Sequence, residues 1–145
     1  MHDRVIVLVE DNANDEELTL RAFRKSNIVN RVVVVRDGAE ALDYFFVRGV
    51  HAKRSTDEIA QVVLLDLKLP KVDGLDVLRE LRSDDRTRLI PIVVLTSSAE
   101  EQDLVRSYGL GANSYVRKPV DFTQFVEAVR QLGLYWLVIN QAAPI

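Results

Sequence analysis

Four short apolar runs set the hydrophobic pattern of the chain. Residues 5–9, 32–35, 62–65 and 92–95 consist of valine, isoleucine and leucine and do not alternate with polar residues. A strand with one face in water alternates apolar and polar side chains, whereas a strand covered on both faces is apolar throughout. The pattern therefore predicts parallel strands that are buried inside a sheet.

Amphipathic segments separate these runs and predict helices. In residues 15–25 the acidic side chains come first and the basic ones last, which suits the helix dipole. Further helices are predicted over residues 38–47, from about 73 with Leu75, Leu78 and Leu81 on one stripe, over 100–108, and from Asp121 to about 138. A more polar run at 113–116 suits an edge strand, and the charged residues 48–61 indicate a surface loop. The strict alternation predicts an α/β fold, a doubly wound parallel sheet with helices on both faces.

The composition is that of an ordinary globular protein. Of 145 residues, 48% are hydrophobic and 28% are charged, so we expect a single domain over residues 1–145. A net charge of −3 argues against nucleic-acid binding, which usually needs clustered lysine and arginine. The chain has no cysteine for disulfides or thiolate metal centres, and its apolar runs are too short for a signal or membrane segment. We therefore expect a cytoplasmic protein without a membrane partner.

Side chains that can carry chemistry follow the predicted strands. Glu10 and Asp11 follow the first strand, Asp66 follows the third, Thr96 ends the fourth and Lys118 follows the fifth. Ligands of doubly wound folds gather beyond the carboxyl ends of the strands, so these side chains should meet at one edge of the sheet. Carboxylates without histidine or cysteine suit Mg²⁺, with Asp11 and Asp66 as direct ligands. Asp66 is then a candidate nucleophile towards a phosphoryl donor, and Lys118 and Thr96 can bind the phosphoryl oxygens.

In their order and spacing these motifs resemble those of the response-regulator receiver family. The matching segments are Val-Glu-Asp at 9–11, Leu-Leu-Asp-Leu at 64–67, Leu-Pro-Lys-Val-Asp-Gly at 69–74, Leu-Thr-Ser at 95–97 and Tyr-Val-Arg-Lys-Pro at 115–119. The resemblance covers nearly the whole chain and implies a flavodoxin-like fold with strand order 2-1-3-4-5. It also implies a signalling protein, not an enzyme, that accepts a phosphoryl group on Asp66 from a sensor histidine kinase.

The same resemblance implies a role for each residue of the site. The Mg²⁺ ion, which Mn²⁺ can replace, is held by Glu10, Asp11, Asp66 and the backbone carbonyl of Lys68. Thr96 and Lys118 bind the phosphoryl group, Tyr115 is the switch aromatic that responds to Thr96, and the peptide bond before Pro119 is cis.

The chain departs from the commonest family pattern at three positions. Glu10 stands where a second Asp is frequent, Ser97 where Ala is usual, and Lys68 lies two residues after the nucleophile. None of these differences removes an essential group. We further expect Lys68 and Ser98 to lie beside the path of the hydrolytic water, and we hypothesise that they tune the lifetime of the acyl phosphate.

More narrowly, the chain resembles the stand-alone regulators of bacterial phytochrome kinases. The segment Leu-Asp-Leu-Lys-Leu-Pro-Lys-Val-Asp-Gly at 65–74 and the ending from 118 through Trp136 carry this resemblance. Only residues 140–145 follow the last helix, so we expect no output domain.

Residues 134–139 are apolar on every side, which is more than one packed face can hide. We expect a two-fold homodimer, as the resemblance also implies, and the alternative is that the segment folds back over its own domain. The interface candidates are Tyr135, Trp136, Val138 and Ile139.

Two other functions fit parts of the sequence. A receiver fold can act as an interaction module that needs no phosphorylation, although an intact acidic pocket argues against this. An aspartyl-phosphate phosphatase of the dehalogenase type also uses a nucleophilic Asp and Mg²⁺, but it requires a second Asp two residues later, where this chain has Lys68.

Overall fold

A parallel sheet forms the centre of the molecule. The computed structural model describes residues 3–118 and 121–143, and over these residues five strands lie in the order β2-β1-β3-β4-β5. All neighbouring strands pair in parallel. The predicted fold class and strand order are confirmed. The strands are β1 (Asp3–Val9), β2 (Val32–Val35), β3 (Glu58–Leu65), β4 (Ile92–Thr96) and β5 (Ser114–Arg117).

Helices connect the strands at the predicted places. Three of them begin with the same cap, in which an Asn or Asp side chain accepts a hydrogen bond from the backbone N–H three residues later. These caps are Asn12, Asp37 and Asp121. The helices are α1 (Ala13–Lys25), α2 (Gly38–Phe45), α3 (Gly74–Ser83), α4 (Glu101–Gly109) and α5 (Phe122–Gly133), with a 3₁₀ turn at Gly49–His51.

The two faces of the sheet have separate apolar cores. Val5, Val7 and Val9 face the layer that contains α2 and α3, whereas Ile6 and Leu8 face α1 and α5. All five side chains are at most 2% exposed. Both faces of β1 are covered over residues 5–9, and this explains why the first apolar run does not alternate with polar residues.

The predicted surface loop at residues 48–61 is only partly correct. It contains the 3₁₀ turn, and β3 begins at Glu58, four residues before the apolar run. The early half of β3 pairs with the start of β1, and the register shifts between Val5 and Ile6, which leaves Gln61 as an extra residue. Polar residues in this half hid the strand from a search for continuous apolar runs.

The C-terminal helix also differs from the expectation. The α-helical hydrogen bonding ends at Gly133, and residues Leu134–Ile139 continue as a π-helical segment. The backbone carbonyl of Trp136 accepts a hydrogen bond from Gln61, the extra residue of β3, at 3.2 Å. The segment therefore lies against the end of the sheet where β3 begins, opposite the ends that carry the acidic residues.

Gly74 brings the start of α3 into contact with the end of β3. Its backbone N–H donates to the carbonyl of Leu67 at 2.9 Å. A Cβ atom at Gly74 would meet the carbonyl oxygen of Asp66 and would lie 2.6 Å from Cα of Leu67. Both neighbours are backbone atoms, which cannot rotate away. The absence of a side chain at Gly74 is therefore part of what places Asp66.

We expect Gly74→Ala to lower the free energy of unfolding by about 2 kcal/mol, since an added methyl group in a tightly packed position forces the backbone to shift. Gly109→Ala is the matched control, because nothing lies within 4 Å of the added Cβ and alanine suits a helix better than glycine. Urea denaturation of both variants measures the difference. Equal stability of the two variants would contradict the close approach at Gly74.

Candidate functional site

The acidic and phosphoryl-binding candidates meet at the carboxyl edge of the sheet. Glu10 follows β1, Asp66 follows β3, Thr96 ends β4 and Lys118 follows β5. Main-chain hydrogen bonds between neighbouring strand ends hold them in place: Glu10 N–H to Val35, Asp66 N–H to Val9 and Lys118 N–H to Thr96, at 2.7 to 3.1 Å. The convergence predicted from the sequence is therefore present.

Lys118 joins the carboxylates of the site. Its ammonium donates to Asp66 at 3.1 Å and to Asp15 at 2.9 Å, and it also donates to Glu10. The side chain of Lys118 is 7% exposed and that of Glu10 is 2% exposed. Charges buried to this degree are tolerable only when they are paired and hydrogen-bonded, and Lys118 supplies that pairing.

The charges in this cluster shift the pKa values of both partners. Burial raises the pKa of the Glu10 carboxyl to about 7, although the bond to Lys118 opposes this shift. Burial alone would lower the pKa of Lys118, but the hydrogen bond to Glu10 and the charge of Asp66 outweigh burial and raise it. Lys118 therefore stays positively charged at neutral pH.

Three carboxylates of the site can hold a divalent cation. One oxygen from each of Glu10, Asp11 and Asp66 lies within 4.8 Å of the others. Asp11 is exposed, and its carboxylate has no hydrogen bond or ion pair to the residues described. A set of oxygen ligands with one member open to solvent fits a hard ion such as Mg²⁺, which keeps several waters.

The remaining contacts of Asp66 are hydrogen bonds to its Oδ1 atom. The fully buried Thr96 hydroxyl donates to it at 2.9 Å, and the backbone N–H of Lys68 lies 3.3 Å away. Tyr115 on β5 reaches the same region, since its hydroxyl donates to the backbone carbonyl of Ser98 at 3.2 Å. Thr96 and Tyr115 are thus both hydrogen-bonded to Ser98, in the loop between β4 and α4.

The sequence that forms this site matches a family model. The response regulator receiver domain model matches residues 6–130. The chain belongs to the response regulator receiver domain family.

Three solved structures illustrate the likeness of this receiver domain to known proteins. The bacteriophytochrome response regulator AtBRR is 55% identical with a TM-score of 0.75, and the match covers 97% of this chain and 99% of that one. The phosphorylated cyanobacterial phytochrome response regulator RcpA is 38% identical with a TM-score of 0.89, covering 99% and 100%. The Mn²⁺-bound response regulator Rcp1 is 32% identical with a TM-score of 0.88, covering 97% and 99%. Rcp1 is from Synechocystis sp..

Two further acidic residues of the receiver domain take part in the site and were not found by sequence reasoning. Asp15 was interpreted as a favourable charge at the start of α1, yet its carboxylate binds Lys118. Asp103 on α4 accepts a hydrogen bond from Ser98 at 2.6 Å and lies 3.8 Å from the ammonium of Lys68. The first could have been found from its position in the first turn of α1, the helix that follows β1. The second depends on how α4 packs, which the sequence pattern does not reveal.

The residue at position 68 argues against a dehalogenase-type phosphatase, which requires an Asp where the receiver domain has Lys68. Its side chain is 64% exposed and is directed towards Asp103, so no second acid stands at this position. Its backbone carbonyl remains a predicted metal ligand. The predicted cis bond at Pro119 lies outside the described residues.

The candidate dimer residues lie away from the acidic site and are not equivalent. Tyr135, Val138 and Ile139 are 48 to 73% exposed, and Leu134 is 46% exposed. Trp136 differs from the expectation, because it is only 8% exposed and belongs to the apolar core on the α1 and α5 side of the sheet. A side chain buried to this degree offers little surface to a partner. Among the helices of residues 3–118 and 121–143, none has both the length and the apolarity needed to cross a membrane.

We expect the affinity of the site for Mg²⁺ to fall about tenfold between pH 8 and pH 6. The ion must displace the proton from any protonated ligand, and the pKa of Glu10 lies near 7, so protonated Glu10 dominates at the lower pH. Isothermal titration calorimetry with MgCl₂ at both pH values measures the change. The control variant Glu10→Gln should bind more weakly at pH 8 but lose most of the pH dependence. An unchanged wild-type affinity would mean that Glu10 does not titrate in this range.

Proposed function

We propose that this receiver domain is a phosphorylated response regulator, in which Asp66 accepts a phosphoryl group from a sensor histidine kinase. One observation carries the proposal: at the carboxyl edge of the sheet the Asp66 carboxylate accepts hydrogen bonds from Lys118 and Thr96 and has two further carboxylates within 4.8 Å. This set provides a nucleophile, donors for phosphoryl oxygens and ligands for a cation. A structural ion pair would need only part of it.

The residues of the site have distinct tasks in the transfer. A carboxylate oxygen of Asp66 forms a bond to phosphorus as the bond from phosphorus to the kinase histidine breaks, and the electron pair of that bond stays on the imidazole. Lys118 and Thr96, which bind Asp66 before transfer, can donate to the phosphoryl oxygens afterwards. The receiver then catalyses only its own phosphorylation and dephosphorylation.

Mg²⁺ is the proposed cofactor, held by Glu10, Asp11, Asp66 and the backbone carbonyl of Lys68. When bound, it offsets the negative charge that gathers on the phosphoryl oxygens. Mn²⁺ has similar ligand preferences, and the Mn²⁺-bound relative Rcp1 supports its use as a substitute.

The conformational response follows from the contacts of Thr96. If the Thr96 hydroxyl turns from Asp66 to a phosphoryl oxygen, the loop that begins with Ser97 moves with it. Tyr115 responds to this movement because its hydroxyl is hydrogen-bonded to the carbonyl of Ser98 in that loop. Two arrangements of Thr96 and Tyr115 then exchange, and phosphorylation shifts their populations.

Intact mass after incubation with acetyl phosphate and Mg²⁺ tests the central proposal. The wild type should gain one phosphoryl group, and the gain should be lost in EDTA and in Asp66→Asn, which keeps the shape of the side chain without its nucleophilic charge. If the wild type gains nothing from this donor or from a kinase, the chain is a phosphorylation-independent interaction module.

The proposed donor is a histidine kinase of the bacterial phytochrome class, which would place the receiver in light signalling. Support comes from the similarity to AtBRR and RcpA, which are named as phytochrome response regulators. A second arm of the same experiment therefore supplies an autophosphorylated bacteriophytochrome kinase and, as the comparison, a histidine kinase of another sensory class. Faster transfer from the second kinase would overturn the phytochrome assignment but not the phosphorylation of Asp66.

We also propose that two copies of the receiver associate through the π-helical segment. Leu134, Tyr135, Val138 and Ile139 expose apolar side chains within six residues, and a second copy would cover them by an isologous contact. Trp136 supports this surface from beneath.

We expect the wild type to have twice the monomer mass at micromolar concentration by light scattering. Val138→Asp should shift it to the monomer, because a charge is buried at the contact. Val29→Asp is the matched control, since Val29 is a valine between α1 and β2 that is even more exposed than Val138, and its substitution should leave the dimer intact. A monomeric wild type would overturn the proposal.

A further inference from the structure

Asp103 is buried on the inner side of α4 although it is acidic. It is 6% exposed, and burying a carboxylate is costly unless partners compensate for the lost water. Two partners do so: the Ser98 hydroxyl donates to Oδ2 at 2.6 Å, and the Lys68 ammonium lies 3.8 Å from the same atom. Over the residues that the structure describes, Asp103 has no other side-chain partner.

Both partners belong to loops that begin at the phosphoacceptor site. Lys68 lies two residues after Asp66, and its backbone N–H is 3.3 Å from Oδ1 of Asp66. Ser98 lies two residues after Thr96, and its backbone N–H is 3.3 Å from the Thr96 hydroxyl oxygen. Asp103 therefore connects the loop after β3 to the loop after β4, across the side of the site that faces α4.

A favourable charge at the start of α4 does not explain this burial. Acidic side chains in the first turn of a helix interact with its dipole while exposed to water. Glu101 is in the same turn and is exposed, so it can provide that interaction without losing its water. The inward position of Asp103 must have another cause, and its contacts with Lys68 and Ser98 identify it.

We propose that Asp103 is a positioning residue that holds the side chains of Lys68 and Ser98 beside Asp66 and thereby prolongs the life of the acyl phosphate. This inference rests on the proposed phosphorylation of Asp66. In hydrolysis, a water oxygen bonds to phosphorus, the bond to Asp66 breaks, and inorganic phosphate leaves with the protons of the water. Asp66 is only 7% exposed, so water has a narrow approach, and side chains held at its edge narrow it further.

The test is the decay of the phosphorylated protein, followed by intact mass after acetyl phosphate is removed in the presence of Mg²⁺. Asp103→Asn removes the charge that holds Lys68 and weakens the acceptor for Ser98, so decay should accelerate about fivefold, which corresponds to about 1 kcal/mol in the barrier. Glu101→Gln is the matched control, because it removes the same charge from the same turn without touching either partner. Its decay should equal that of the wild type.

A second variant approaches the same ion pair from its exposed side. Lys68→Met keeps the unbranched side chain without its ammonium group and should accelerate decay to a similar degree, even if Asp103→Asn proves unstable. The double variant should decay no faster than Asp103→Asn alone, since that variant has already lost the ion pair with Lys68, whereas two residues that act independently would give additive effects.

The outcomes separate the two proposals. A phosphorylated wild type that decays at the same rate as Asp103→Asn and Lys68→Met overturns the role of Asp103 and leaves the phosphorylation of Asp66 standing. Additive effects in the double variant also overturn it. A wild type that takes up no phosphoryl group overturns the function on which the inference rests, and the inference with it.

Discussion

The site depends on the ion pairs of the Lys118 ammonium group. It binds Glu10, Asp15 and Asp66 at once, and it does so almost completely out of water. One positive charge cannot neutralise three carboxylates, and Asp11 adds a fourth negative charge at the rim. The pocket therefore keeps a net negative charge, which favours a divalent cation and opposes a free phosphate. A phosphoryl group is accommodated only when a cation balances the added charge, and this couples the two ligands.

Much of this site could be predicted from the sequence, because a parallel sheet brings every strand end to one edge. The positions of Glu10, Asp66 and Thr96 followed from the apolar runs, and that of Lys118 followed from the more polar edge strand. Their placement needs no knowledge of side-chain packing, since it is set by backbone pairing between neighbouring strands. Family resemblance then gave the strand order, which the apolar pattern does not specify.

The features that the sequence did not reveal depend on tertiary contacts. Asp15 and Asp103 enter the site only because α1 and α4 turn those positions inward. The first half of β3 was missed because it carries polar residues and a register shift, although its pairing with β1 makes it a strand. The burial of Trp136 also depends on tertiary contacts. Residues 134–139 are all apolar, so the sequence does not indicate which of them faces the core, and only the packing of the fold buries Trp136.

The packing of α4 distinguishes it from the other helices. Its buried residues are Asp103 and Ser107, whereas Leu104, Val105 and Tyr108 are exposed, the reverse of the usual amphipathic order. Apolar contacts therefore contribute little to holding this helix, and its polar contacts to the loops of the site contribute more. Polar contacts exchange partners more readily than a packed apolar core rearranges, so a change in charge at Asp66 can alter α4 while the two cores stay fixed. The candidate dimer segment lies at the opposite end of the sheet, and any effect of phosphorylation on it must pass through elements that are far more firmly packed.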